Sequence, residues 1–262
     1  MRNKLKLHMM SVLAGASMMA FTPLVNAANT DDDWQFGFKI YAFLPDINGE
    51  LNYAPPGGSD DISVDIGDIL DSLKMTFMGS FEARKGKWSG FTDVIYMDVG
   101  DDKSKSVSLP NDTTVDLLDA DLDLKAVVWT LGGAYTIWRD QKSYVDLLAG
   151  ARLLALDTEV KLTGGGPQQH DRKLSGSEDL WDGIIGAKGS YSLSDRWFIP
   201  YYVDVGTGDA ELTWQVSGGI GYEFNWGEVR LDYRHIEYDQ GSGKLIKDLA
   251  FGGPSLGAAF RF

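Results

Sequence analysis

The residues of this 262-residue chain best placed to do chemistry are charges of both signs, set on segments whose alternate positions are apolar. Lys39, Lys74, Glu82, Arg84, Asp123, Lys125, Asp146 and Arg152 stand in its first part. Asp182, Lys188, Asp204, Glu223, Arg230, Asp232 and Arg234 stand in its second, and Asp93 and Arg261 share the pattern. If these segments are strands of a closed tube with apolar faces outward, the charges line a narrow lumen. Opposite charges then pair across it, because an unpaired buried charge is costly. Such pairing has two outcomes: a salt-bridged plug that makes a rigid closed wall, or a narrow watery path whose selectivity the charges set.

Other chemistry has little to work with. There is no cysteine, which removes disulfides, thiolate catalysis and cysteine-ligated metals. Of three histidines, His8 lies in the N-terminal segment, His170 in a polar loop and His235 toward the outer end of a strand. Glu237 and Asp239 follow His235 closely, but spacing alone does not specify a base and the group that orients it. His235 is therefore read as a surface histidine. The acidic clusters Asp31–Asp33, Asp60–Asp61, Asp101–Asp102 and Asp119–Asp123 do not match a twelve-residue calcium loop and read as solvated loop charge. Gly164-Gly165-Gly166 is a loop tip, not a phosphate cradle. No catalytic residue, metal site or cofactor is expected.

The elements that position these charges begin after a targeting segment. Arg2, Lys4 and Lys6 precede an apolar run from Met9 to Val25, and Val25-Asn26-Ala27 offers small residues for a peptidase. This is the layout of a Sec-type signal peptide over residues 1–27, cleaved between Ala27 and Ala28, with residues 28–262 forming one domain. Net charge is −14, and removing the three basic residues of the leader makes the remainder more acidic still. That excess argues against nucleic acid and against basic-patch binding to anionic lipid. Beyond the leader no apolar stretch is long enough for a spanning helix, so any crossing falls to strands.

Period-two alternation marks those strands. Trp34, Phe36, Phe38, Ile40, Ala42 and Leu44 share one face, with Lys39 on the other. Similar alternation runs through 73–84, 122–136, 144–156, 183–191, 197–205, 212–224 and 229–234, and a last strand covers 249–262. The stretch 88–99 is ambiguous in phase, because Asp93 sits among Phe91, Ile95 and Met97; we read Asp93 as inward. On 122–136 the apolar set Leu122, Leu124, Ala126 and Val128 is read as outward, opposite Asp123 and Lys125. Every second connection is short, while 45–72, 100–121, 163–180 and 240–248 are long and polar, and Ile66–Leu73 has the pattern of one or two helical turns. The fold expected is all-β: a closed antiparallel transmembrane β-barrel of about ten strands, with eight to twelve also fitting. Trp34, Trp88, Tyr144, Trp197 and Trp226 fall near the short-turn rim and would form the periplasmic aromatic girdle.

The chain ends on alternating Leu256, Ala258, Phe260 and Phe262, which resembles the signal that Gram-negative outer-membrane proteins present to the barrel assembly machinery. From residue 34 onward, and most closely in Asp204–Tyr238, the chain resembles small Gram-negative outer-membrane β-barrel proteins, porin-like in general form. The resemblance implies residence in the bacterial outer membrane. Its partners would be outer-membrane lipid, lipopolysaccharide, periplasmic chaperones and the assembly machinery. It carries no catalytic motif. The expectation is a non-enzymatic structural or surface-interaction barrel with, at most, a narrow passage for small solutes. Two alternatives stand beside it: a selective outer-membrane channel, and an omptin-like or lipid-A-acting hydrolase that would need a rim constellation around His235.

Overall fold

The computed structural model describes residues 33–53, 58–64, 73–101, 119–163, 172–241 and 246–262. Twelve strands follow one another: β1 (Trp34–Phe43), β2 (Asp46–Tyr53), β3 (Gly58–Val64), β4 (Leu73–Lys85), β5 (Trp88–Asp101) and β6 (Asp119–Arg139). Then come β7 (Ser143–Thr163), β8 (Arg172–Ser192), β9 (Trp197–Gly208), β10 (Leu212–Phe224), β11 (Gly227–Asp239) and β12 (Ile246–Arg261). β1 and β4 to β12 pair with their sequence neighbours, and β1 pairs with β12, closing an antiparallel ten-stranded barrel. Closure reaches the last residue: Phe36 and Phe262 exchange backbone hydrogen bonds of 2.8 and 3.0 Å. A closed ladder leaves no edge in this part of the wall, which is why alternating sequences of this length are stable as a tube.

All four of the polar connections are partly strand; in 100–121, β5 runs on to Asp101 and β6 starts at Asp119. β1 breaks at Leu44-Pro45, since proline cannot continue a ladder, and resumes as β2 against the same partner, β12. Gly253 allows the break: a Cβ there would lie 2.1 Å from the Leu44 carbonyl oxygen. β2 then pairs with β3, so the stretch read as the loop 45–72 contains a hairpin. β8 likewise begins at Arg172 inside the expected loop 163–180, and β12 at Ile246 inside 240–248. Polarity was read as loop in these places, but a strand standing clear of an apolar layer has no need of an apolar face. The helical-turn reading at Ile66–Leu73 lies outside the described residues but for Leu73, which begins β4. So do the signal-peptide and cleavage readings at residues 1–27 and Ala28.

At the opposite rim the turns are short. Gly86 takes a left-handed φ of 58° between β4 and β5, a conformation glycine adopts without a Cβ clash. Asp140 organises the turn between β6 and β7: its Oδ1 accepts the backbone N–H groups of Lys142 (2.8 Å) and Ser143 (2.7 Å). Those bonds, Lys142 first, hold its carboxyl below the usual aspartate range.

The outer face is apolar and aromatic. Ile40, Leu131, Leu147, Ile185, Val203, Val216, Leu231 and Leu256 are all exposed on it. Trp34, Trp88, Trp197 and Trp226 ring the short-turn rim with Trp138, which the sequence reading left out. Trp88 packs on Tyr135 at 4.8 Å, and Trp226 lies 5.4 Å from both Phe224 and Phe260. Tyr144 corrects the expected girdle. It has the inward parity of Asp146 and Arg152, and its ring lies 5.5 Å from the Arg84 guanidinium.

Candidate functional site in the lumen

The charges of the lumen lie in two layers. Next to the short-turn rim, Arg84 is the hub: it donates to Thr136 Oγ1 (2.7 Å) and Glu82 Oε1 (2.9 Å), and pairs with Asp146. Thr136 in turn donates to Asp146 Oδ1 (2.7 Å), so a carboxylate with no exposure has two partners. Lys188 reaches Glu82 at 2.7 Å and lies 4.4 Å from the Phe91 ring centroid. Four strands, β4, β6, β7 and β8, are stitched by this set alone. On the facing wall, buried Glu228 accepts from Arg230 Nε (2.6 Å) and Arg261 (2.7 Å), and Arg261 also approaches rim-exposed Glu223 at 3.7 Å.

A second layer lies deeper. Arg234 pairs with Asp93 at 3.0 Å, and Tyr41 bridges them, accepting from Arg234 (3.0 Å) and donating to Asp93 (2.9 Å). Lys39 Nζ stands 4.5 Å from the Tyr41 ring centroid. Arg152, fully buried, pairs with Asp204 and donates to Thr213 Oγ1 (3.3 Å) and Gln215 Oε1 (3.1 Å). Asp182 accepts the Ala210 N–H at 2.9 Å through Oδ1, while its Oδ2 and Asp232 Oδ1 are buried without a protein partner.

Above the charges the lumen is apolar. Phe43, Met78, Ile95, Met97, Ala126, Val128, Leu154, Leu180, Ile236 and Phe251 form one buried cluster. Leu154 and Ile236 have no exposure at all, so the inward wall is dry at those positions. Burial of each large side chain here is worth about 1.5–3 kcal/mol. The cluster also corrects a phase. Ala126 and Val128, read as outward, face the lumen, and Lys125 points out, 52% exposed and 3.2 Å from Asp98. The rule that apolar faces point outward fails where the lumen itself is apolar and the outer surface is wet. Asp93 is inward as read, and its apolar neighbours Ile95 and Met97 belong to the same inward face.

Lys39, Glu82, Arg84, Asp146, Arg152, Asp182, Lys188, Asp204, Glu223, Arg230, Asp232 and Arg234 thus lie on lumen-facing positions, most of them in the two charged layers. The side chains of Lys74 and Asp123 lie outside the described residues. Glu228 and the bridging hydroxyls of Tyr41 and Thr136 were missed, although each sits at lumen parity on its strand. Leu256, Phe260 and Phe262 are exposed on the outward face of the closing strand, with Ala258 on the same face. His235 is on the outward face too, packed on Trp214 at 4.8 Å and 3.2 Å from Glu237. Its ring therefore points away from the lumen. Among the described residues no group of three His, Asp or Glu is arranged to hold a metal ion.

A closed antiparallel barrel, apolar outside, charge-stitched below and apolar above, defines the class of protein. No family model matches the chain, and no curated protein does. Among solved structures it is similar to the outer membrane protease OmpT of Escherichia coli, with TM-score 0.47 and 11% identity over 90% of this chain and 99% of that one. It is also similar to Ail, the attachment invasion locus protein of Yersinia pestis (TM-score 0.37, 13% identity, 88% and 99% covered). The toluene transporter TbuX of Ralstonia pickettii gives TM-score 0.37 and 13% identity, with 88% and 72% covered. At such scores these likenesses carry no inference about activity or ligand.

Proposed function

We propose that the protein is an integral outer-membrane β-barrel with a closed lumen, acting as a structural or surface-interaction protein and not as an enzyme. One observation carries the reading: the exposed face is apolar with an aromatic ring at one rim, while the charges are buried inside. A barrel working in water would invert that arrangement, whereas hydrocarbon demands it. The aromatic rim with its short turns faces the periplasm in this reading, and the long connections face outward. Export follows from residues 1–27, and the outward Leu256, Ala258, Phe260 and Phe262 serve as the assembly signal. The interacting surface is then the outer rim, in contact with lipopolysaccharide.

The test is reconstitution of residues 28–262 into phospholipid vesicles. The expected result is a heat-modifiable band on electrophoresis and retention in the vesicles after alkaline washing. A protein that stays folded and monomeric in buffer without detergent overturns the membrane reading.

A further inference from the structure

The turn between β8 and β9 presents Asp195 and Arg196, adjacent in the chain and both exposed, at the short-turn rim. Ser194 organises it: its Oγ accepts the Trp197 N–H at 3.2 Å and the Arg196 N–H at 3.5 Å. The Arg196 carbonyl accepts the Glu223 N–H at 2.8 Å, carrying the β9–β10 ladder one residue beyond Trp197. The backbone of Arg196 is thus held through both its N–H and its carbonyl. Its guanidinium donates to a neutral group, the Tyr222 hydroxyl, at 3.3 Å, and Tyr222 meets Trp197 edge to face at 4.9 Å. Ser194, Asp195, Arg196, Trp197 and Tyr222 line an open hollow of about 370 Å³, a size usual for small-ligand sites.

The height of the hollow fits a lipid headgroup. Trp197 belongs to the aromatic ring of this rim, which marks the edge of the hydrocarbon, and Arg196 stands one residue beyond it. Basic residues also collect here, although the whole chain carries a net charge of −14. Lys85 and Lys87 flank the turn between β4 and β5, and Arg139 and Lys142 the turn between β6 and β7. Against them stand Asp33 and Asp140, the latter engaged in capping its own turn. Toward the other end the outward charges of the described residues are chiefly acidic, as at Asp98, Asp157, Asp179 and Glu237. Phosphates are therefore favoured at the short-turn rim.

We propose that this hollow holds the headgroup of a phospholipid with a primary amine, its phosphate on Arg196 and its ammonium on Asp195. The proposal rests on the outer-membrane reading, which puts this rim in the periplasmic leaflet. The planar guanidinium fork suits phosphate oxygens, and a charge-assisted bond replaces one to a neutral hydroxyl. An anionic headgroup would satisfy Arg196 but set its charge beside Asp195, whereas a zwitterion meets both. A primary ammonium donates hydrogen bonds to the carboxylate, and a trimethylated one has no N–H to give. Exposed Leu193 and Trp197 offer the acyl chains an apolar surface next to the turn.

The experiment refolds residues 28–262 into vesicles of phosphatidylethanolamine, phosphatidylcholine and phosphatidylglycerol with identical acyl chains. The protein is extracted in mild detergent, and native mass spectrometry reads the lipid it retains. Phosphatidylethanolamine should be retained several-fold above the other two. Arg196→Gln should lower that retention several-fold, and Asp195→Asn should remove the preference over phosphatidylcholine. Lys142→Gln, at another turn, should leave the pattern unchanged, and heat-modifiable folding on each sample separates loss of the site from loss of the fold. Equal retention of the three lipids, or a pattern unchanged in Arg196→Gln, overturns the site and leaves the membrane reading intact. Phosphatidylglycerol retained above phosphatidylethanolamine overturns the zwitterionic assignment. Displacement of the lipid by soluble glycerophosphoethanolamine at matched concentration would make the occupant a free phosphate ester and overturn the lipid. A chain that inserts into none of the vesicles overturns both readings.

Discussion

Arg152 is the largest fully buried side chain among the described residues, and its loss should be felt through the whole wall. Arg152→Ala leaves Asp204 buried without its counter-ion and takes a donor from Thr213 and Gln215, on a third strand. Breaking a buried pair from one side costs about 3–5 kcal/mol, because the surviving charge stays desolvated. Removing both charges together, Arg152→Met with Asp204→Asn, avoids that penalty and should recover most of the stability. Lys125→Ala is the reference. Its pair with Asp98 is 3.2 Å long but the lysine is half exposed, so the cost should stay within about 1 kcal/mol. The assay is equilibrium urea unfolding of the vesicle-inserted protein, followed by tryptophan fluorescence. Equal losses for Arg152→Ala and Lys125→Ala, or no recovery in the double variant, would refute the assignment of Arg152 to a dry interior.

Three further outcomes are expected. Val216→Arg, on the exposed outward face, should cost about 2–4 kcal/mol in vesicles if the position is near the midplane, and unfolding with no loss there would contradict a lipid-facing surface. Gly253→Ala forces a Cβ against the Leu44 carbonyl and should cost about 1–3 kcal/mol, whereas Gly90→Ala, with open space, should be near neutral in the same urea series. Asp140 has a lowered carboxyl pKa in the folded protein, so its stabilisation is present above the unfolded aspartate value, about 3.9, and is lost as pH falls through the folded one. The stability difference between the native chain and Asp140→Asn should therefore be largest near neutrality and vanish in acid; a difference independent of pH would point to the side chain's shape instead.

How much of this was legible in the sequence depends on height in the barrel. In the lower part alternation is unambiguous, since one face meets an apolar exterior and the other a charged interior; Lys39, Glu82, Arg84 and Asp146 could be placed from period two alone. In the upper part both faces change character. Ala126 and Val128 pack inward while Lys125 reaches outward, so the same alternation had the opposite meaning. The β2–β3 hairpin was hidden for a related reason: Pro45 signals a stop, but the chain resumes the same ladder with β12 three residues after Phe43. The pairing of Arg84 with Asp146, or of Arg234 with Asp93, was not readable at all. Parity places a charge in the lumen, but only the shear of the closed barrel decides which charge it meets. The end of the β1–β4 ladder is likewise a property of register.

The central claim is a lumen closed by paired charges and an apolar cluster, and conductance tests it most directly. Single-channel recording on refolded residues 28–262 in planar bilayers, with heat-modifiable folding verified on the same sample, should give a silent membrane. Stable, ion-selective steps that shift when Arg230 or Asp232 is neutralised would contradict it and make the charged layers the lining of a channel.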